Sequence, residues 1–205
     1  MDLVKFFQTG GPFMYAILAV MALGLAIAVE RLIYLLSTQS KTNSVWKKIT
    51  PMLQANDIAR AEHTASGAST PLARVLAYGF SRKKNNAKRE LIESAMEEGI
   101  MEVVPQLEER THYLATLANI ATLLGLLGTI IGLIQAFTAV ASADPAEKAD
   151  MLSASISVAM NTTAFGLCAA IPLILIHSYL ATKTTRLVDN IEMAAVKCLN
   201  LMTEE

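Results

Sequence analysis

Residues 116–141 read TLANIATLLGLLGTIIGLIQAFTAVA, without a single formal charge. A helix needs roughly 20 apolar residues to cross the hydrocarbon core of a bilayer, so this run reads as a membrane span. At about 100° per residue, Ala118, Thr122, Gly125, Thr129, Gly132 and Ala136 share one narrow face, while Leu123, Leu127, Ile130 and Ile134 lie opposite. The first face is small and hydroxylated, and the second suits lipid. Small residues let helices approach closely in a membrane, so packing alone accounts for the first face unless the threonines have a further role.

The rest of the chain agrees with a membrane location. Of its 205 residues 53% are hydrophobic and the net charge is −1, too apolar a profile for an ordinary soluble domain. Charges avoid three segments, about 13–28, 116–141 and 155–181, and collect between the first and the second. The expectation is an all-α integral membrane protein with three transmembrane helices, two of which extend into a cytoplasmic helical bundle. The first span follows Lys5 and exits through Glu30 and Arg31 without a small-x-small cleavage site, so it reads as a retained anchor.

The boundaries follow from the charge pattern. An N-terminal segment and first span occupy 1–36, with Phe6 and Phe7 placed for the interface and Gly10-Gly11-Pro12 as a break before the helix. Glu30 and Arg31 read as an interfacial anchor, or Glu30 faces inward to meet a cation of a partner. A cytoplasmic helical domain occupies 37–112, with short helices at 44–55, at 57–66 capped by Asn56 or Asp57, and at 70–82 with Pro71 in its first turn. Asn85-Asn86 marks a turn within the basic run Arg82, Lys83, Lys84, Lys88 and Arg89, which reads as a patch for anionic lipid headgroups, not nucleic acid. No strong stop signal stands between Ala87 and Ala141, which predicts one rod of about 55 residues, kinked near Met101 to Pro105. The second span takes 113–142, a short acidic periplasmic loop 143–154, the third span 155–181, and a cytoplasmic C-terminal helix 182–205.

Orientation comes from counting cations. Eleven lysines and arginines lie between Ser37 and His112 against one, Lys148, in the loop between the last two spans. By the positive-inside rule the N-terminus is periplasmic and the C-terminus cytoplasmic.

The third span reads ISVAMNTTAFGLCAAIPLILIHSYL from Ile156. Ser155, Ala159, Thr162, Thr163, Gly166, Ala169 and Ala170 form a broad small or polar face that is expected to meet the threonine face of the second span. Pro172 removes the bond to the Cys168 carbonyl and leaves an acceptor free at membrane depth. No Asp, Glu, Lys, Arg or His occurs from Tyr113 to Ala143 or from Met151 to Ile176. These spans therefore cannot relay a proton by their own titration, and no Ser-His, Asp-Asp or metal-ligand pair supports an intramembrane enzyme. Cys168 and Cys198 are too far apart for a disulfide, and with His63, His112 and His177 they lack metal-site spacing. Neither an enzyme, a metal nor another cofactor is expected.

The segments GLLGTIIGLIQAF (125–137) and TTAFGLCAAIP (162–172), in this order on the last two of three spans, resemble the ExbB/TolQ/MotA family of ion-driven inner-membrane motor subunits. Three spans with the cytoplasmic portion between the first two are closest to ExbB. The resemblance implies a homopentamer around a central pore that encloses two copies of a single-span ExbD-like protein, whose membrane aspartate takes the ion. It implies work on a TonB-like protein for outer-membrane transport, with TolQ-like work, gliding or secretion, or passive scaffolding as the alternatives. Thr129 and Thr163 match the family's pore-lining threonines, and Thr122 and Thr162 add hydroxyls beside them. Gly125, Gly128, Gly132, Gly166 and Pro172 are read as helix-packing residues. The chain departs from the pattern at Thr122, where proline is common, and at Val158, where a glutamate is usual. The coupling ion, H+ or Na+, therefore stays open.

Overall fold

The computed structural model describes residues 10–85, 87–141 and 144–203. The expectations for Phe6 and Phe7, for Asn86 in the basic turn and for the loop residues 142–143 lie outside them. The described residues form six helices: α1 (Phe13–Gln54), α2 (Ile58–Ser66), α3 (Pro71–Lys84), α4 (Arg89–Glu108), α5 (Thr111–Ala141) and α6 (Lys148–Thr203). Three stretches are long and apolar enough to cross a membrane, in α1, in the Arg89–Ala141 stretch that contains α5, and in α6. The protein is an all-helical membrane protein.

The chain divides into two compact units, one of residues 1–30 and 110–179, the other of residues 31–109 and 180–205. In the first, Ala118, Ala121, Gly125, Gly128 and Ala136 of α5 are buried, and so are Ala159, Thr162, Gly166, Ala169 and Ala170 of α6. Leu123, Leu127, Ile130 and Ile134 are exposed, as suits a lipid-facing surface. Gly24 of α1 receives Leu173 of α6, whose Cδ2 would stand 2.7 Å from a Cβ there.

The second unit has an apolar core built from Ile49, Leu72, Leu76, Phe80, Ile92, Leu107, Leu180 and Leu187, all nearly inaccessible. Each such side chain contributes about 1.5–3 kcal/mol by leaving water. The α3–α4 pair is drawn together by glycine: a Cβ on Gly99 would lie 3.1 Å from the Cα of Val75. The Asp57 carboxylate accepts from the Arg60 amide at 3.1 Å and caps α2, and the Thr70 hydroxyl accepts from the Ala73 amide at 3.2 Å and caps α3. Tyr78 donates to Glu102 at 2.7 Å, which raises the phenol's pKa.

Three boundaries differ from the sequence reading. Residues 44–55 do not form a separate helix but continue α1 to Gln54, since nothing between Ser37 and Ser44 is a strong helix breaker and Pro51 is accommodated within the last turn. Helix α6 begins at Lys148, inside the expected loop, where the Asp144 carbonyl accepts from the amides of Glu147 and Lys148. The rod from Ala87 to Ala141 is interrupted, and the interruption is not at Pro105. Helix α4 ends at Glu108, Arg110 adopts a left-handed φ of 62°, and α5 starts at Thr111.

The end of α4 is met by a tertiary contact. Arg31, 3% exposed, donates through Nη2 to the carbonyl of Leu107, one of the last-turn acceptors that an ending helix leaves without an internal donor. The guanidinium also lies 4.7 Å from the centre of the Tyr34 ring. Arg31 is thus no exposed interfacial anchor, and Glu30 pairs with Arg110 of its own chain at 3.7 Å.

Candidate functional site

The α5–α6 contact in the first unit depends on missing side chains. A Cβ on Gly125 would stand 3.3 Å from the Cα atoms of both Gly166 and Thr163, and one on Gly132 would stand 3.0 Å from the Cβ of Ala159. With the backbones this close, side chains one turn away on each helix are brought within hydrogen-bonding reach.

Thr129 and Thr163 meet there. Their hydroxyls hydrogen-bond to each other, with either oxygen able to donate. The Thr163 hydroxyl also reaches the Gly125 carbonyl at 2.9 Å, and that of Thr129 reaches the carbonyls of Gly125 at 3.2 Å and Ala159 at 3.3 Å. Each hydroxyl has one proton and two lone pairs, so the two protons are shared among more acceptors than they can serve at once. The pair can therefore re-aim its donors without moving a backbone. Both residues are half-buried, which leaves the pair partly open at the edge of the helix contact.

The other two threonines are placed differently. Thr122 lies two turns before Thr129 on α5, is exposed, and returns its hydroxyl to the Ala118 carbonyl at 3.1 Å. Thr162 is 2% exposed and turns away from the pair: its hydroxyl donates to the Gly10 carbonyl at 2.7 Å and also lies 3.0 Å from that of Val158. Its methyl fills the space over Gly128, where a Cβ would lie 3.4 Å from that of Phe13. Thr162 therefore fastens the lead-in to α1. Gly11 there has a φ of +75°, a backbone region that suits glycine, so this docking was in part written in the Gly10-Gly11-Pro12 sequence. Gly166 has the closest backbone neighbour of the packing positions, because a Cβ would lie 2.8 Å from the Ala121 carbonyl oxygen. Pro172 sits exposed within α6, which continues through it, and Leu173 beside it fills the notch at Gly24.

Two polar contacts went unread in the sequence. Arg31 could have been found, because an arginine at the end of an apolar helix requires a partner. The hold of Arg89 on Asn200 Oδ1 (2.6 Å) and Thr203 Oγ1 (2.8 Å) could not, because it joins residues more than a hundred positions apart through ordinary polar types. In the second unit, burial pushes the Cys198 thiol up to about 12. Among the described residues no three of His, Cys, Asp and Glu group as metal ligands.

Known proteins resemble this chain in sequence. The chain is 27% identical over 192 residues to an ExbB homolog of Methanothermobacter thermautotrophicus, covering 93% of this chain and 67% of that one. It is 25% identical to a biopolymer transport protein ExbB-like 3 of Synechocystis, over 82% of this chain and 80% of the other. A shorter match, 36% identical over 80 residues, links it to the Tol-Pal system protein TolQ of Haemophilus influenzae, over 39% of this chain and 35% of TolQ. Residues 67–193, which contain the basic turn, the α4 helix and both halves of the threonine pair, match the family model as well, and the chain belongs to the MotA/TolQ/ExbB proton channel family.

Proposed function

We propose that the chain is the ion-pathway subunit of an ExbB-like motor in the bacterial inner membrane, with the N-terminus periplasmic and the C-terminus cytoplasmic. Five copies surround two copies of a single-span ExbD-like protein, and the complex drives a TonB-like protein for outer-membrane transport. The observation that carries this reading is the half-buried hydroxyl pair of Thr129 and Thr163 in spans that hold no ionisable group of their own.

The chemistry follows from that composition. The titrating group comes from outside the chain, as a carboxylate on the partner's span. The paired hydroxyls offer it a donor when it is ionised and an acceptor when it is protonated, by exchanging which carbonyl or hydroxyl each one serves. Neutralising the carboxylate lets its helix pass an apolar wall that a charge cannot pass cheaply. Each charge falling through 100 mV releases about 2.3 kcal/mol, so a few ions per cycle suffice to rearrange packed helices.

The coupling ion in this reading is the proton, which needs only the partner's carboxylate, the hydroxyl pair and water. One observation favours sodium as a second reading: the hydroxyls of Thr129 and Thr163 and the carbonyls of Gly125 and Ala159 form a cluster of oxygens of the kind a hard cation prefers. Thr162, turned toward Gly10, adds nothing to that cluster.

The deciding experiment measures energised activity in the intact complex, in sodium-free buffer and with a protonophore. Proton coupling predicts full activity without sodium and collapse with the protonophore. Activity that requires sodium and survives the protonophore at fixed membrane potential overturns it in favour of the second reading. Full activity of a Thr129→Val, Thr163→Val double variant overturns the threonine pathway under either ion.

A further inference from the structure

The second unit carries two surfaces of opposite charge that the ion pathway does not use. One is a groove of about 510 Å³ between α4 and α6 with apolar walls that include Met96, Ile100 and Leu199, and with Glu93, Glu97 and Glu192 along it. Met101 and Val196, both lining this groove, are 75% and 55% exposed, so the groove presents contiguous apolar surface. The three carboxylates have no hydrogen-bond or ion-pair partner among the described residues.

The other surface is the α3–α4 turn. Arg82, Lys83 and Lys84 form the last turn of α3 and Lys88 precedes α4, and none of them has a carboxylate partner among the described residues. Arg89, tied to Asn200 and Thr203, holds this turn beside the last turn of α6. Thr203 lies about 33 Å along α6 from Ala181, where the third span ends, at 1.5 Å per residue. Screening confines lipid surface charge to about 10 Å, so this separation along the helix argues against headgroups as the occupant of the basic turn.

We infer that the acidic groove of one copy receives the basic α3–α4 turn of a neighbouring copy. The inference rests on the homo-oligomer and cytoplasmic placement proposed above. The match is chemical: the lysine stems lie on the apolar walls while their ammonium groups reach the carboxylates. Groove and turn are different surfaces of one chain, so their pairing is heterologous and every copy uses both, a contact that makes a ring where the rotation between neighbours closes.

The test uses the full chain in native membranes, with Cys168→Ser and Cys198→Ser as background. Two differently tagged copies are co-expressed, one with Lys84→Cys and the other with Glu97→Cys, and treated with a short bismaleimide. The mixed dimer is expected to exceed the 84–84 and 97–97 dimers by about fivefold and to fall at high salt, where screening weakens exposed pairs. Glu93→Lys with Glu97→Lys is expected to lower the oligomer recovered in mild detergent by about tenfold, and adding Lys83→Glu with Lys84→Glu to restore it. A mixed dimer no more abundant than the like pairs, or charge swaps without rescue, overturns the contact. If the basic-turn variants instead lose only binding to phosphatidylglycerol vesicles, the occupant is lipid and the inference falls. If no excess of mixed dimer forms while the parent complex keeps its ion-driven activity, this contact alone falls and the motor reading stands.

Discussion

Gly166 faces Gly125 so closely that a Cβ on Gly166 would stand 3.0 Å from the Cα of Gly125. The same Cβ would lie 2.8 Å from the carbonyl oxygen of Ala121, and backbone cannot give way as a flexible side-chain end can. Gly166→Ala should therefore push α5 and α6 apart and destabilise the first unit by about 1–3 kcal/mol, the usual cost of overpacking. Thermal unfolding in detergent checks this, and an unchanged midpoint would contradict the close contact. Gly132→Leu, which drives a larger side chain against Ala159, should go further and prevent assembly.

Removing the hydroxyls while keeping the shape isolates their chemistry. Thr163→Val should leave assembly intact but lower energised activity by about tenfold or more, the effect of losing a donor aimed at a changing charge. Thr162→Val should act differently, because its hydroxyl serves Gly10: stability falls by about 1 kcal/mol, the net worth of one hydrogen bond, before any effect on ion coupling. Activity per assembled complex separates the two variants.

Arg31 is expected to be structural. Arg31→Met keeps the stem but leaves the Leu107 carbonyl without its donor, at a cost of about 1–3 kcal/mol for a buried acceptor left unmet. The measurement is hydrogen exchange at the last turn of α4, which should quicken in Arg31→Met and stay nearer the parent rate in Arg31→Lys. Equal protection in all three would show that the α4 end does not depend on the guanidinium.

The Cys198 thiol should resist alkylation. At pH 8 a group held up to about 12 has only about one part in ten thousand as thiolate, the reactive form. Maleimide labelling of a Cys168→Ser chain should therefore be slow in the native state and rapid after denaturation. Rapid native labelling would mean that Cys198 is reached by solvent.

What the sequence could tell depended on whether the cause was local. The three spans, the Asp57 cap and the small face of α5 all follow from nearest-neighbour chemistry, namely charge-free length, side-chain acceptors and helical period. The break at Glu109 and Arg110 does not. Its left-handed residue is an arginine where glycine or asparagine would have been the signal, and the group that meets the α4 end, Arg31, lies 76 positions away. The same limit applies to the threonines. The helical wheel put Thr162 and Thr163 on one broad face, but adjacent residues on a helix diverge by about 100°, and close packing turns that angle into two separate neighbourhoods. Thr163 went to Thr129 and Thr162 to Gly10.

The bond from Thr162 to the Gly10 carbonyl joins positions 152 apart. At a synthesis rate of about 5–20 residues per second, Gly10 waits on the order of 10–30 s before Thr162 has even been made. During that interval Gly10-Gly11 has no seat, even after Leu107 and Gly128 have been made to meet Arg31 and Phe13. The first unit can thus be completed only after translation has passed Thr162, which leaves Gly10-Gly11 available to insertases and proteases until then. A bulky fusion placed directly before Gly10 should slow maturation more than the same fusion at the other end of the chain.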